Sequence, residues 1–307
     1  MRKNKQYSNG KLLISGEYLV LKGAKALALP INRGQSLQIT QNANKGIINW
    51  QARHEKGKWF EATIHLDQSS GNLRAMSEEE RTLAAIIKNL NNLCPGFFDK
   101  QKGYLVKTGL DFLPEHGLGS SSTLINNLSK AAGCDAYKLL SLTFGGSGYD
   151  IACAQHDKAI IFRLENGKEN VEEQDFNPAF AENIFFAYLG KKQKSSKSIE
   201  YFNKNAVYSS DIIEQISNIS EDLILAKDLA QFNELIERHE KIMSQVLQIE
   251  PVKHLLFNDL NASVKSLGAW GGDFVMISTE LKKTELINYL RNKGYKTIYQ
   301  FNDLLIR

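Results

Sequence analysis

Residues 113–133, LPEHGLGSSSTLINNLSKAAG, oblige a helix to begin on the smallest side chains available. Leu124, Ile125, Leu128, Ala131 and Ala132 recur on one face, which predicts an amphipathic helix over 120–132. The first turn of such a helix has backbone N–H groups without partners in the helix, and its dipole favours negative charge. Glycine and serine there let a phosphate come close, with three hydroxyls beside it. A plain serine cap after a glycine turn would produce the same string, so the loop alone leaves both readings open.

Two phosphate motifs are excluded. No GxxxxGK[ST] string occurs in the chain. A dinucleotide fingerprint needs its glycine turn straight after a strand, with an acidic residue about 20 positions on at the end of a second strand. Here PEH intervenes, and the helix is followed by GCDAYKLLSLTFGGSG, which contains no apolar strand.

Turn residues divide the first half into predicted strands at 12–15, 18–21, 26–29 (running into Pro30), 36–40, 46–51, 58–64, 104–108 and 159–164. A helix is predicted over 78–93, opened by Ser77 with Glu80 three positions on. ENGKENVEEQD, after the last of these strands, reads as a polar connection. The second half opens with a strand at 184–189. Its longest helical pattern covers 221–247, with Leu225, Leu229, Phe232, Ile236, Met243 and Val246 in phase. Strands at 274–278 and 297–301 flank a helix near 280–292. Strands and helices alternate without a regular period, which favours α+β over a doubly wound sheet.

Composition narrows the function classes. The 307 residues allow one large domain or two ordinary ones, and 42% apolar with 23% charged residues is an ordinary globular balance. A formal charge of +4 is too small at this length to support nucleic-acid binding. No apolar run reaches the ~18–20 residues of a membrane span. The N-terminal stretch is broken by Gly10, Lys11 and Glu17, which makes a poor signal peptide. Cys94, Cys134 and Cys153 lack metal-type spacing and read as reduced thiols of a cytoplasmic protein.

Three further segments complete an ordered set: GKLLISGEYLVLKGAKALALP at 10–30, GGSGYDIACAQ at 145–155 and SLGAWGGDFVMIS at 266–278. With the glycine-serine loop they resemble the GHMP kinases, the superfamily of galactokinase, homoserine kinase, mevalonate kinase and phosphomevalonate kinase. The string GYDIA resembles a bacterial subgroup known by that label. The resemblance covers essentially the whole chain. It implies a two-lobed α+β fold, with an N-terminal α/β lobe over 1–165 carrying the phosphate loop and a ferredoxin-like C-terminal lobe over 166–307. It also implies ATP and Mg²⁺, a small anionic acceptor, no nucleic-acid or membrane partner, and a cytoplasmic monomer or homodimer.

Carried over by position, the resemblance assigns Gly117, Leu118, Gly119, Ser120, Ser121 and Ser122 to the ATP phosphates, and the Ser121 hydroxyl to Mg²⁺. Asp150 matches the aspartate beside the acceptor hydroxyl, and Lys11 the lysine near that aspartate and the transferred phosphate. A cation of this kind keeps the carboxylate ionised and offsets charge on the phosphoryl oxygens, while the carboxylate orients or accepts the hydroxyl proton. Phosphoryl transfer asks for little beyond positioning and electrostatic stabilisation. Taken singly, Lys11 would read as a solvated strand-end lysine and Asp150 as a turn residue. Three departures stand out. Only Glu115 and His116 separate Pro114 from the loop, one residue fewer than usual. Trp270 replaces a glycine, which puts a bulky ring at the substrate side or over the site. Residues 136–149 contain no acidic residue, so Mg²⁺ would rely on Ser121, the phosphates, water and another carboxylate.

The acceptor is suggested by smaller details. Glu17 and Tyr18 in SGEYLVL, and Gly271, Gly272 and Asp273 in GAWGGDF, resemble the GEY and GGD strings of phosphomevalonate kinases. LGKKQKSSKS at 189–198 sets Lys191, Lys192, Lys194 and Lys197 around Ser195 and Ser196, similar to a substrate-side loop of the same enzymes. Such a loop suits a phosphorylated acceptor, although charge alone fits a solvated loop as well. His239 lies in NELIERHEKIMSQ, which resembles a helix whose polar residues approach substrate. It is also near an apolar face, where a histidine is ordinarily an interior residue. The expectation is a kinase for 5-phosphomevalonate, with mevalonate next, and sugar, heptose-phosphate or homoserine kinases behind. A nucleotide-binding protein without turnover is the reading from another class.

Overall fold

The computed structural model describes residues 4–66, 77–191, 193 and 195–306. The chain forms two compact units that interleave along the sequence. The first comprises Met1–Gly10, Arg33–Pro114 and Leu118–Gln155, and the second Lys11–Asn32, Glu115–Gly117 and His156–Arg307.

Strand β1 (Asn4–Leu13) pairs with β2 (Ala26–Asn42), a strand of 17 residues that runs through both units. In the first unit, residues 35–42 of β2 pair antiparallel with β5 (Gly103–Leu110). Strand β5 pairs parallel with β3 (Ile47–His54), which forms a hairpin with β4 (Gly57–His65). Burial alternates along β3, so Ile48, Trp50 and Ala52 face a core shared with Leu83, Ile86 and Leu90 of α1 (Glu78–Leu93). Ile125 and Leu128 of α2 (Ser120–Ala132) complete it. Helix α1 begins where the sequence predicts. The Ser77 Oγ accepts the Glu80 N–H at 3.1 Å, and Glu80 Oε2 accepts the Ser77 N–H at 2.8 Å. Helices α3 (Ala136–Ser141) and α4 (Tyr149–Gln155) close this unit.

In the second unit, residues 26–28 of β2 pair with β6 (Ala159–Glu165), which forms a hairpin with β7 (Lys168–Gln174). There follow β8 (Ile184–Tyr188), α5 (Ser195–Asn205), α6 (Ser210–Leu225), α7 (Leu229–Leu247), α8 (Val252–Leu256), β9 (Ser263–Leu267), β10 (Phe274–Ser278), α9 (Lys283–Asn292), β11 (Ile298–Gln300) and α10 (Phe301–Leu304). The sheet order is β11-β8-β10-β9, antiparallel throughout. A strand, helices, two strands, a helix and a last strand in that order make the expected ferredoxin-like arrangement.

Four expectations are corrected. Residues 18–21 are not a strand: Gly16 (φ +83°) and Tyr18 (φ +62°) turn the chain, and the Val20 N–H closes on the Gly16 carbonyl as a 3-10 turn over Leu19–Lys22. The two strands separated at Pro30 are one, β2. Pro30 has no N–H to give, and the stretches of β2 that pair with β6 and with β5 fall on either side of it. The polar stretch after β6 is strand β7. Asn166 (φ +52°) and Gly167 (φ +75°) supply the two left-handed residues of a tight hairpin turn. The long pattern at 221–247 is interrupted, because Asp228 Oδ1 accepts the Gln231 N–H at 2.9 Å and starts α7 afresh. Strand β9 was not expected, since SVKSL has no apolar alternation.

Candidate functional site

In the first unit, the residue capping α2 is Gly119, left-handed at φ +101°, and no side chain caps the helix. The plain serine cap therefore does not describe this loop. The Ser122 Oγ donates back to the Gly119 carbonyl at 3.0 Å, and the Thr123 Oγ1 to the same carbonyl at 2.8 Å. Ser122 and Thr123 are buried, Ser120 is half-buried and Ser121 is exposed. Of the three serines, Ser121 is the exposed one, in the first turn of α2. Leu118 is 1% exposed and can offer a ligand only its backbone. Asp150 lies half-buried in the first turn of α4, with its Oδ1 3.1 Å from the Ile151 N–H that donates to it. Buried Asn126 of α2 donates to the Ala154 carbonyl of α4 at 3.1 Å. Helices α2 and α4 are thus bolted together.

The second unit holds Lys11, half-buried near the end of β1, and Gly117. It also gathers the other motifs around Asp273, which is left-handed at φ +53°. The Asp273 N–H donates to the Lys191 carbonyl at 2.7 Å, and its own carbonyl accepts the Leu189 N–H at 2.8 Å. Its Oδ1 accepts the Gln193 N–H at 3.0 Å, and Gln193 Nε2 donates to the Gly271 carbonyl at 2.8 Å. A Cβ on Gly272 would sit 2.5 Å from the Lys191 carbonyl, so only glycine permits this docking. A Cβ on Gly117 would lie 3.1 Å from the Asp273 carboxylate. The start of the glycine-serine loop, the glycine-rich turn and residues Leu189, Lys191 and Gln193 meet at one aspartate. Lys194 lies outside the described residues. Ser195 opens α5, and Ser196 and Lys197 are exposed in its first turn. That helix is held by Phe202, whose ring stacks on Tyr18 at 5.4 Å.

Glu17, Tyr18 and His239 are 2%, 9% and 0% exposed, and each bonds within the protein. Glu17 Oε1 accepts the Lys265 ammonium at 2.6 Å and the Trp270 indole N–H at 3.2 Å. The Tyr18 hydroxyl accepts the Trp270 backbone N–H at 3.1 Å. His239 Nε2 accepts the Gly16 N–H at 3.1 Å, and Glu240 Oε1 accepts the Ser266 N–H at 3.1 Å. Lys265 is wholly buried, 3.8 Å from Glu240 and 2.9 Å from the Ser266 carbonyl that also accepts from it.

The charges sort themselves by environment. Burial raises the Glu17 carboxyl, but the adjoining Lys265 ammonium, together with His239, more than offsets it and holds Glu17 below the usual carboxylate range. Burial, reinforced by Lys265, pushes His239 down to about 3. Burial pushes Glu240 up to about 8. At neutral pH one carboxylate and one ammonium face a neutral acid and a neutral imidazole. Ligand atoms of Glu17, His239 and Glu240 lie within 4.8 Å of one another, a spacing that would suit a metal. Lys265 already supplies the cation, and the His239 Nε2 lone pair is engaged by Gly16. The cluster reads as self-neutralised.

Glu240 binds its proton more tightly folded than unfolded. Its contribution to stability is complete below about 4.5 and is lost as pH rises through about 8. His239 acts in the opposite sense, losing its contribution as pH falls from 6.5 towards about 3. The thermal midpoint is expected to fall between about pH 6 and pH 9, and Glu240→Gln should flatten that fall. An unchanged slope in the variant would refute the protonated Glu240.

Sequence reasoning missed Lys265, Glu240 and Gln193. A lysine in an otherwise small or apolar SVKSL, just before a glycine-rich turn, was the only signal for the first. Trp270 is 6% exposed, its indole turned inward onto Glu17.

No family model and no curated protein matches the chain. Solved structures do. Phosphomevalonate kinase of Streptococcus pneumoniae, solved with phosphomevalonate and AMPPNP, has a TM-score of 0.71 at 16% identity, covering 96% of this chain and 99% of that one. Mevalonate kinase of Methanococcus jannaschii gives 0.70 at 17%, covering 96% of each chain. Galactokinase of Lactococcus lactis, solved with galactose, gives 0.65 at 12%, covering 98% and 93%. The chain has the GHMP kinase fold. Among the described residues, no helix is long and apolar enough to cross a membrane.

Proposed function

We propose that the protein is an ATP-dependent kinase of the GHMP superfamily whose acceptor is a small anion, 5-phosphomevalonate first and mevalonate second, in a cytoplasmic route to isoprenoids. The convergence on Asp273 carries this reading. A lysine-rich loop with no task would be left to solvent, whereas here Leu189, Lys191 and Gln193 are fastened to the glycine-rich turn by four hydrogen bonds. The likeness to a kinase solved with phosphomevalonate supports the same acceptor class.

The first-turn N–H groups of α2 bind the ATP phosphates, with glycines and serines leaving room for them. Ser121 fits Mg²⁺ as an exposed hydroxyl oxygen beside those N–H groups. The ion would keep several waters and neutralise phosphate charge. Asp150 orients the acceptor hydroxyl and takes its proton. Lys11 offsets charge on the transferred phosphoryl group. Lys191, Lys197, Ser195 and Ser196 receive the acceptor's own anionic group.

Coupled ADP release with Mg-ATP against 5-phosphomevalonate, mevalonate, homoserine and a few sugars tests this. Turnover fastest with 5-phosphomevalonate is the expected result. Turnover on mevalonate alone would keep the kinase and discard the lysine-loop assignment. ATP binding with no acceptor consumed would replace the kinase by a nucleotide-binding protein, a reading to which the lack of acidic residues in 136–149 already lends weight.

A further inference from the structure

The glycine-rich turn 268–273 contains one residue unlike its neighbours. Gly268 and Gly271 are left-handed at φ +69° and φ +90°, and Gly272 is required for close approach. Glycines make such a turn possible, but they also leave it the largest conformational entropy to lose. Trp270 does the reverse. Its backbone N–H is tied to Tyr18, and its indole N–H to a carboxylate oxygen that also receives the Lys265 ammonium.

We propose that Glu17, Lys265 and Trp270 form a pin that fixes the glycine-rich turn, and through Asp273 the residues Leu189, Lys191 and Gln193, in their working conformation. Trp270 is then a positioning residue and not one that touches the acceptor. The functional part of this assignment rests on the kinase reading; the pin itself does not.

Three observations point to placement as the purpose of the cluster. A buried ion pair is a poor way to gain stability, since apolar residues of similar volume commonly do as well or better. The pair is also specific in direction: Glu17 Oε1 is the atom shared by ammonium and indole, so the charge fixes where the indole N–H must point. Finally, the pin is tied to regular elements of the second unit. Lys265 belongs to β9, whose five residues are all buried, and Glu240 of α7 grips β9 at Ser266. Glu17 sits in a turn tied to α7 through the Gly16 N–H and His239. The turn is therefore referred to a strand and a helix, and not to solvent.

The test is hydrogen exchange on the full chain, read at the amides of Asp273, Gln193 and Leu189, which the docking protects. Trp270→Phe keeps an aromatic ring and loses the indole N–H. Exchange at these amides is expected to quicken at least tenfold, while the amides of β10 and α7 keep their protection. A paired comparison separates pinning from the removal of charge. Glu17→Gln/Lys265→Met retains an oxygen for the indole and should stay protected, whereas Glu17→Leu/Lys265→Met should not. The Trp270 indole N–H resonance, assigned by its loss in Trp270→Phe, should shift in Glu17→Gln. Equal exchange in Trp270→Phe and the wild type, or equal exchange in the two double variants, would overturn the pin.

Kinetics then test its purpose. Trp270→Phe should raise the acceptor KM about tenfold and leave the ATP KM unchanged. Quickened exchange with unaltered KM values would leave the pin and remove its role in acceptor binding. If the wild type phosphorylates nothing, the kinase reading fails, and the exchange result still judges the pin.

Discussion

Lys265→Met, made alone, should destabilise the protein by about 3–5 kcal/mol, the cost of leaving a buried carboxylate without its cation. Glu17 is 2% exposed, and its remaining neighbours are a neutral imidazole and an indole N–H. The carboxylate would have to take up a proton or draw in water, and either outcome forfeits the arrangement at Trp270. At the scale of a domain this size the thermal midpoint should drop by on the order of 10 °C. Two controls make the result specific. Lys25 pairs with Glu221 at 2.5 Å, but both side chains are substantially exposed, 28% and 44%. Lys25→Met should therefore cost no more than about 1 kcal/mol. Glu17→Leu/Lys265→Met removes both charges and should recover much of the loss. Denaturant titration of the four proteins measures this. A Lys265→Met loss no larger than that of Lys25→Met would mean that the interior pair is hydrated and energetically slack.

The second large effect concerns turnover. Asp150→Asn should lower phosphoryl transfer by roughly 10²- to 10⁴-fold, the range associated with a positioned general base. ATP affinity should stay within a few-fold, because the N–H groups of α2 are untouched. The substitution is nearly isosteric, and an asparagine oxygen can still accept the Ile151 N–H. Helix α4 is anchored by its buried residues 151–154, so the thermal midpoint should not move. Single-turnover assays with saturating Mg-ATP separate the step from binding. Turnover within tenfold of wild type would remove Asp150 from the reaction. Lost ATP binding would assign it to nucleotide binding instead.

What could be read from the sequence was local. Ser77 and Glu80 announce α1 because both hydrogen bonds of the cap lie within four residues. The apolar face of 120–132 and the small residues before it announce α2 and its glycine turn for the same reason. The losses were all non-local. Residues 18–21 have strand-forming side chains, but the turn at Gly16 and Tyr18 is stabilised by His239 and Trp270, far away in sequence. Pro30 looked like a strand end because its missing donor matters only if a partner stood opposite. The Asn166-Gly167 turn was legible and went unread, since the charged strand after it offers no apolar alternation. The site divides in the same way. Its glycines, serines and Asp150 are visible as strings, whereas Lys265 shows only as a lone lysine in SVKSL, and its burial depends on β9, α7 and the turn at Glu17 closing over it.

The span between Glu17 and its counter-ion also governs how the chain is born. They are 248 positions apart. At ~5–20 residues per second, about 12–50 s of translation separate the two. Throughout that interval the carboxylate of Glu17 lacks the Lys265 ammonium and stays in water, which keeps the leucines and isoleucines on either side of it from settling. The first unit can be complete once residue 155 has emerged, while the second already owns an early segment that it cannot yet use. A nascent chain of this protein therefore leaves the apolar side chains around Glu17 uncovered until Lys265 has emerged, and in that interval they would attract a holding chaperone.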